Sequence, residues 1–383
     1  MRGFFFGMSK RYLLLLITAA LYFSSCEQAR ESRHAESHQP KAKPVIVAHK
    51  PKTIPDSVCI AAVGDIMLGT SYPDSRTLPP DSAKNSFKNV LDELHHADIT
   101  FGNLEGTLLD TGAPAYFKMH QLQPAFLFRM PVSYGAVIKQ AGFNVLSLAN
   151  NHSNDFDQKG RISTMKVLDS LGIQYGGLNS KPSAIFKING ITYGFCAFAP
   201  NGQTLPLLNL KKSTEIIQQL KQQCDIVIVS FHGGGEGAAY EHIPCTYEKF
   251  ITENRGDVHA FAHNAIDAGA DIILGNGPHV CRAMELYKNR LIAYSLGNFC
   301  TYRCVSVAGI CGMAPVLKVY LNKKGEFLNG RILSNIQSHN NGLTPDSLNR
   351  VAGHIKMLTE TDFEQPGLSI TFDGRISPVR YQH

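Results

Sequence analysis

Six loops in this sequence carry side chains that can bind a metal ion or move a proton. The loops carry carboxylate, amide or imidazole groups and, except for 150–155, also glycine; they span 64–69, 102–106, 150–155, 230–236, 275–279 and 295–299. Oxygen and imidazole ligands suit divalent metals, and glycine lets the backbone approach an ion or a substrate closely. The pattern therefore indicates metal-assisted chemistry.

Each of these side chains alone also has an ordinary structural explanation. It can be a helix cap, a turn residue, a surface carboxylate or a hydrogen-bonded core histidine. The residues concerned are Asp65, Glu105, Asn150, Asn151, His232 and His279. These residues lie on five of the six loops. Five strand-exit loops with ligand-type residues are more than turns alone would produce, so we predict that most of these residues share one site.

Apolar runs that precede the loops predict the strands that position them. The run 58–63 is continuously apolar, as expected for a strand covered on both faces. Further strands are predicted at 98–101, 144–149, 225–231, 271–274 and 291–295, with helices at 85–96, 131–141, 158–171, 211–223 and 259–268. Antiparallel pairs are predicted at 184–198, around Asn189-Gly190, and at 314–335. This order predicts a mixed α/β fold, in which sites collect at the carboxyl ends of strands.

Composition and charge are those of a large globular protein. The 383 residues are 44% hydrophobic and 18% charged, and the formal net charge is +6. Part of the positive charge lies in the first 52 residues, and the chain has no arginine-rich stripe or nucleic-acid motif. We therefore predict no nucleic-acid partner.

The N-terminus has the pattern of an export signal. Lys10 and Arg11 precede the apolar run 12–22, which is too short for a spanning helix of roughly 20 residues. Two serines then lead into Cys26. An ordinary signal peptide cleaved nearby fits this pattern, but the Ser-Ser-Cys exit favours a lipoprotein in which Cys26 is lipidated and tethers the chain to the bacterial envelope.

The chain divides into four predicted parts. Residues 1–25 are the predicted signal peptide, and the polar residues 26–55 are a predicted flexible tether. We predict one domain over 56–340 and a C-terminal extension over 341–383 that packs on it. Because export permits disulfides, one or two are predicted among Cys281, Cys300, Cys304 and Cys311.

Six motifs together resemble the CapA (poly-γ-glutamate capsule protein) family. They are GDIMLG, NLEGTL, LANNHSNDFDQKG, SFHGGGE, GADIILGNGPHV and IAYSLGNF, in that order over residues 58–300. That family is similar to the calcineurin-like metallophosphoesterases. The resemblance implies two mixed β-sheets packed face to face with helices outside, a four-layer sandwich, and a role in capsular poly-γ-glutamate synthesis or processing.

The resemblance also implies roles for individual residues around a divalent metal, which can be Mn, Zn, Fe or Ca. It implies His152 as the proton donor and Asp155 as the group that orients it. The implied metal ligands are Asp65, Glu105, Asn151, His232 and His279. The predicted substrate-binding residues are Asn103, Glu236, Arg282 and Asn298; Arg282 would pair with a substrate carboxylate.

Two positions depart from the related patterns. The phosphoesterase pattern opens Asp-x-His, but this chain has Met67 at the third position. The late family loop often reads His-Pro-His, whereas this chain reads Gly277-Pro278-His279. Two imidazoles are therefore missing, and Glu236, His242, Asn276 or water are candidates to replace them.

Three functions fit these observations. The first is a metal-dependent hydrolase acting on an anionic cell-surface polymer or peptide, at an amide or phosphoester bond. The second is a non-catalytic, polyanion-binding component of a capsule assembly or export machine, which the missing imidazoles favour. The third is a true phosphoesterase, which the absence of histidine at position 67 disfavours.

Overall fold

The computed structural model describes residues 57–120, 126–339 and 342–379. The predicted signal peptide, the tether and Cys26 lie outside the described residues. None of the helices in the described ranges is long and apolar enough to cross a membrane.

The described residues contain seven α-helices and 22 strands. The helices are α1 Leu91–His95, α2 Tyr116–Met119, α3 Tyr134–Gln140, α4 Asp157–Ser170, α5 Leu210–Lys221, α6 Val258–Asp267 and α7 Arg350–Asp362. The strands are β1 Ser57–Met67, β2 Ile99–Leu104, β3 Thr107–Leu108, β4 Arg129–Met130, β5 Val145–Ser147, β6 Gln174–Gly176, β7 Ser183–Ile188, β8 Ile191–Ala199, β9 Leu205–Pro206, β10 Ile226–His232, β11 Glu248–Phe250, β12 Glu253–Gly256, β13 Ile272–Asn276, β14 Met284–Tyr287, β15 Arg290–Ala293, β16 Asn298–Thr301, β17 Val316–Asn322, β18 Phe327–Leu333, β19 Asn335–Ser338, β20 Gly342–Pro345, β21 Leu368–Ile370 and β22 Arg375–Pro378.

The helix predicted at 85–96 is shorter than expected. Within this range only α1 is α-helical. The residues before it form turns closed by hydrogen bonds from residue i+3 to residue i, such as Lys88 N–H to Asn85 O at 3.3 Å and Val90 N–H to Phe87 O at 3.0 Å. The predicted hairpin around Asn189-Gly190 is present as β7 and β8, which pair antiparallel from Ile188 and Ile191 outward.

Two large mixed sheets form the core of the domain. The first has the order β21-β22-β18-β17-β1-β2-β5-β6, with β16 paired to β1, and the second has the order β14-β15-β13-β10-β8-β7, with β9 paired to β8. In the first sheet β1, β2, β5, β6 and β16 run parallel. In the second, β8, β10, β13 and β15 run parallel. Each sheet therefore has a parallel centre whose carboxyl ends form one edge.

Alternate residues of the central strands enter different core layers. Ile226 and Ile228 of β10 lie in the core shared with β1 of the other sheet, whereas Val227 and Val229 pack beneath α5 and α6. β1 behaves in the same way, because its even-numbered residues Ile60 and Ala62 face the second sheet and its odd-numbered residues face α3 and α4. The layers are thus helices, sheet, sheet and helices, which confirms the predicted mixed α/β four-layer sandwich.

Residues 342–379 belong to the same core. β21 and β22 extend the first sheet at its edge, and Val351 and Ile355 of α7 are fully buried in the cluster between the sheets. The eight cysteines of the described residues are all unpaired. The predicted disulfides among Cys281, Cys300, Cys304 and Cys311 are therefore wrong for this structure; Cys281 and Cys300 are buried thiols.

Candidate functional site

The parallel strands bring the polar loops to one edge of the two sheets. Asp65 of β1 is aligned with Asn103 of β2 on one side and with Asn298 of β16 on the other. In the second sheet, the last residues of β10 and β13, His232 and Asn276, are aligned with each other. The site thus uses the carboxyl ends of both parallel centres.

A close approach of two backbones fixes the position of Asp65. The Asp65 N–H donates to Gly297 O at 2.9 Å, and a Cβ on Gly64 would lie 1.8 Å from the same oxygen. Only glycine therefore permits the contact that holds β1 against the 295–299 loop.

Asp65, Glu105 and His279 form the centre of the site. Asp65 Oδ2 lies 2.9 Å from His279 Nδ1, and Glu105 Oε1 lies 3.6 Å from His279 Nε2. The three residues offer ligand atoms that all lie within 4.8 Å of one another. Both carboxylates are fully buried, so the imidazole between them offsets charge that is otherwise costly to bury.

The protonation of this centre follows from burial and from its neighbours. Burial alone lowers the pKa of His279, but the carboxylates of Glu105 and Asp65 outweigh it and raise that pKa to about 10. Burial raises the pKa of Glu105 well above its usual range, and only the His279 and Arg255 charges act in the opposite direction. The metal-free centre therefore holds at least one proton at neutral pH.

Several lone pairs beside this centre are buried without a hydrogen-bond partner in the described residues. They are both carboxylate oxygens of Glu105, the imidazole Nε2 of His232 and the amide oxygens of Asn151 and Asn276. Burial, followed by the Arg255 and His279 charges, lowers the pKa of His232 well below its usual range, which keeps the imidazole in its neutral, ligating form. Buried acceptors without donors are costly. Carboxylate, amide and imidazole donors fit a divalent cation.

Asn103 supports the ligands and does not face a substrate. Its Nδ2 donates to Asp65 Oδ1 at 2.8 Å and lies 3.5 Å from His232 Nδ1. Its Oδ1 accepts from Asn150 Nδ2 at 3.1 Å. Asn103 is fully buried, and both its amide nitrogen and its amide oxygen are hydrogen-bonded to other residues of the site. Its predicted substrate contact is therefore replaced by a positioning role. Asn150, which the sequence does not separate from a turn residue, is part of the same support.

A second set of groups lies on the turn that follows β5. His152 Nδ1 is 2.8 Å from Asp155 Oδ2, and Phe128 stacks on the His152 ring with centroids 4.0 Å apart. Lys118 Nζ lies 2.9 Å from Asp155 Oδ1 and also donates to Asn151 O at 2.8 Å. Burial lowers the pKa of His152, although Asp155 acts in the opposite direction. No sequence signal singles out Lys118, because it lies on α2 and not in one of the six strand-exit loops of the sequence.

Glu236 connects the two sets of groups. Its Oε2 lies 4.0 Å from His279 Nε2, and its Oε1 lies 3.5 Å from Asn151 Nδ2. Arg255 Nη1 is 2.9 Å from Glu236 Oε1, and the Arg255 side chain is almost fully buried. Sequence reasoning missed Arg255, because it lies on the small strand β12 and not at the end of a strand of either large sheet.

Two other predicted substrate contacts are structural. Arg282 is fully buried and makes a two-pronged ion pair with Glu248, at 2.8 and 2.6 Å, while its Nε donates to Tyr240 O. Asn298 is also fully buried, and its Nδ2 donates to Ser306 O and Cys311 O, both at 3.2 Å. The structure therefore corrects Arg282 to a role in holding loops, while Asn298 holds the 306–311 segment through its Nδ2 and leaves its buried Oδ1 without a partner in the described residues. Of the predicted substrate-binding residues, Glu236 keeps a partly exposed side chain in the site.

The two positions that lack the expected histidine, Met67 and Gly277, have different surroundings in the structure. Met67 is fully buried in β1. Gly277 has φ +121°, and a Cβ there would lie 2.6 Å from the Gly233 backbone, so the loop packing excludes histidine at this position. Among the candidate replacements, Glu236 and Asn276 lie in the site, whereas His242 Nδ1 contacts Asp362 Oδ1 at 2.6 Å.

Comparison with known proteins identifies the family. The sequence model of the family described as bacterial capsule synthesis protein PGA_cap matches residues 59–303. The chain belongs to this family. It is 30% identical over 263 residues to the capsule biosynthesis protein CapA of Bacillus anthracis, covering 64% of this chain and 60% of that protein. It is 31% identical over 269 residues to the PGA biosynthesis protein CapA of Bacillus subtilis (strain 168), covering 65% of each. The chain thus spans less than two thirds of these relatives, and the resemblance to the CapA family is confirmed.

Two nucleotidases are among the solved structures that align with this chain. The NAD nucleotidase of Haemophilus influenzae aligns with a TM-score of 0.40 and 12% identity, over 80% of this chain and 62% of that one. The 5′-nucleotidase precursor from Thermus thermophilus aligns with a TM-score of 0.41 and 12% identity, over 76% of this chain and 56% of that one.

Proposed function

We propose that this family member is a metal-dependent hydrolase of the bacterial envelope that cleaves a γ-glutamyl amide bond in an anionic polymer. One observation carries the proposal: unpaired, buried lone pairs of Glu105, His232, Asn151 and Asn276 gather beside the Asp65–His279 pair. A divalent metal held there would lower the pKa of a water molecule and polarise the scissile bond. The amide class rests on the resemblance of the six motifs to the poly-γ-glutamate capsule family, and the Bacillus subtilis relative is named a PGA biosynthesis protein.

His152 is proposed to move the proton. Because its Nδ1 faces Asp155 at 2.8 Å, the Nε2 atom is left to exchange protons with the reactants. The lowered pKa means that the resting imidazole is neutral. Its Nε2 therefore first accepts a proton from the attacking water and then returns it to the leaving nitrogen, and Asp155 keeps the tautomer and ring orientation throughout.

Glu236 and Arg255 are proposed to shape the approach to the bond. Glu236 is partly exposed between His279 and Asn151, and Arg255 holds it at 2.9 Å. Arg255 also places one positive charge close to a site with three carboxylates, which limits the electrostatic penalty for an anionic substrate. The N-terminal signal pattern supports placing this activity in the envelope, with Cys26 as the lipid anchor.

The test is turnover by the purified, metal-loaded chain on poly-γ-glutamate, compared with an aryl phosphate ester. We expect amide cleavage that depends on added Mn²⁺ or Zn²⁺, and His152→Gln should lower kcat by roughly 10²–10⁴-fold while the metal content stays unchanged. His96→Gln is the matched control, because His96 is exposed and its imidazole Nδ1 contacts the Asp92 carbonyl at 2.6 Å, outside the candidate site. Phosphate-ester cleavage without amide cleavage would instead assign a phosphoesterase.

A non-catalytic role is the second candidate, favoured by Met67 and Gly277 at two positions where the related patterns carry imidazole. A protein of this kind would bind the polymer and the metal without turnover. Tight binding of poly-γ-glutamate by metal-loaded wild-type protein, with no cleavage, would replace the hydrolase proposal with this one.

A further inference from the structure

A second group of metal-ligand side chains lies outside the candidate active site. His259 and His263 are four residues apart on α6, and Glu285 lies on β14. Their ligand atoms all lie within 4.8 Å of one another. The group shares no residue with the Asp65 site, and the i, i+4 spacing of its histidines is visible in the sequence.

Helix geometry places the two imidazoles side by side. Residues four apart occupy the same helix face, and the rings of His259 and His263 have centroids 4.2 Å apart, tilted by 39°. The His259 side chain makes no hydrogen bond or ion pair within the described residues, so its ring nitrogens are available to a ligand. Two imidazoles this close repel each other when both are protonated, whereas neutral imidazoles can share a cation.

The carboxylate of the group is already oriented. Glu285 Oε2 accepts from the Tyr294 hydroxyl at 2.8 Å and lies 2.9 Å from His263 Nε2. The Tyr287 ring stacks on His263 with centroids 3.8 Å apart, which restricts the imidazole. The His263 side chain is 25% exposed and that of Glu285 is 12% exposed, so an ion can reach the group from solvent.

We propose that His259, His263 and Glu285 form a second divalent-metal site, of the zinc-binding class, that joins α6 to β14. Two imidazoles and one carboxylate are a ligand set that Zn²⁺ accepts with an open position for water. Tyr294 would be the outer partner that holds the carboxylate, as such partners do in metal sites. Because the ion would join a helix to the edge strand β14, it would stabilise the second sheet.

The test isolates this site from the first one. In an Asp65→Asn, Glu105→Gln background, which disables the candidate active site, we expect zinc titration to saturate at one equivalent and Co²⁺ to give the visible spectrum of a tetrahedral site. His263→Gln should lower the zinc affinity by more than about 100-fold, since outer partners alone contribute about 10–100-fold. Tyr294→Phe should weaken binding by about 10-fold.

The control is a histidine–carboxylate pair that belongs to no group of three ligand atoms within 4.8 Å in the described residues. His354 Nε2 also lies 2.9 Å from a carboxylate, that of Glu241, and His354→Gln should leave the zinc equivalent and its affinity unchanged. The proposal is overturned if the background protein binds no zinc, or if His263→Gln and His354→Gln lower the affinity equally. Circular dichroism of each variant checks that the fold is retained.

Discussion

Asp65 Oδ2 and His279 Nδ1 lie 2.9 Å apart, although 214 residues separate them in the sequence. The contact joins the first strand of one sheet to the loop after β13 of the other, and Glu105 approaches the same imidazole from the far side at 3.6 Å. The candidate metal centre therefore also ties the two sheets together.

Replacement of Asp65 tests the centre directly. Asp65→Asn keeps the shape of the side chain but removes its charge, so we expect the metal affinity to fall by more than about 100-fold, beyond what outer partners alone contribute. Metal analysis after dialysis and turnover measured in parallel should fall together. Asp74→Asn changes an exposed aspartate paired with Arg76 and should alter neither quantity; equal metal content in both variants would remove Asp65 from the ligand set.

Metal binding should depend on pH through His279. Its pKa is raised to about 10 by the Glu105 and Asp65 carboxylates, so the metal-free imidazole is protonated at neutral pH and must lose that proton to ligate. Because Glu105, whose pKa is also raised, must be ionised to bind the metal, we expect release of at least one proton per metal and an affinity that rises at least about tenfold per pH unit below the His279 pKa. Calorimetry in buffers of different ionisation enthalpy measures the proton count. A pH-independent affinity would show that His279 is not a ligand.

The buried pair of Arg282 and Glu248 should matter for stability and not for substrate binding. Glu248→Gln leaves a buried guanidinium without its counter-charge, so we expect a loss of about 3–5 kcal/mol in the free energy of unfolding, measured by urea denaturation. KM should stay near the wild-type value, because Arg282 is fully buried. Arg76→Met, in an exposed pair, should change stability little. A raised KM at unchanged stability would restore the predicted substrate contact.

Gly277 should resist substitution even by alanine. Its φ of +121° and the 2.6 Å approach of a Cβ to Gly233 predict a loss of about 1–3 kcal/mol in the free energy of unfolding. Metal affinity should fall as well, because Gly233 and Gly277 lie next to the loops of His232 and His279. Gly172→Ala has a positive φ but open space around the Cβ, and it should leave metal affinity unchanged. Thermal melts and metal titration of the two variants separate these effects.

The lipid anchor is testable without reference to the fold. Cys26→Ser should move the protein from the membrane fraction to the soluble envelope fraction, because the lipid attached to Cys26 is the proposed tether. Fractionation with immunodetection, together with mass analysis of the mature N-terminus, gives the answer. Unchanged processing and an unchanged membrane fraction would remove Cys26 from the lipidation proposal.

Periodicity and turn chemistry in the sequence were sufficient to predict the mixed α/β class and ten of the 22 described strands, including all four strands of the parallel centre of the second sheet. Continuous apolar runs such as 58–63 mark strands covered on both faces, and Asn189-Gly190 marks a hairpin by its turn geometry. The length of the helix expected at 85–96 was overestimated, because apolar spacing alone does not distinguish an α-helix from successive turns closed by i+3 to i hydrogen bonds.

The sequence by itself determined which residue types are available at the strand ends, because each strand must exit into a polar loop and those loops carry carboxylate, amide and imidazole groups. Only the tertiary structure decided which of them meet. Strand register set Asp65 beside Asn103 and made Asn103 a support, while packing paired Arg282 with Glu248 and brought Arg255 to Glu236. The physical reason is that burial requires each charge to find a partner, and that partner is chosen by three-dimensional proximity and not by distance along the chain.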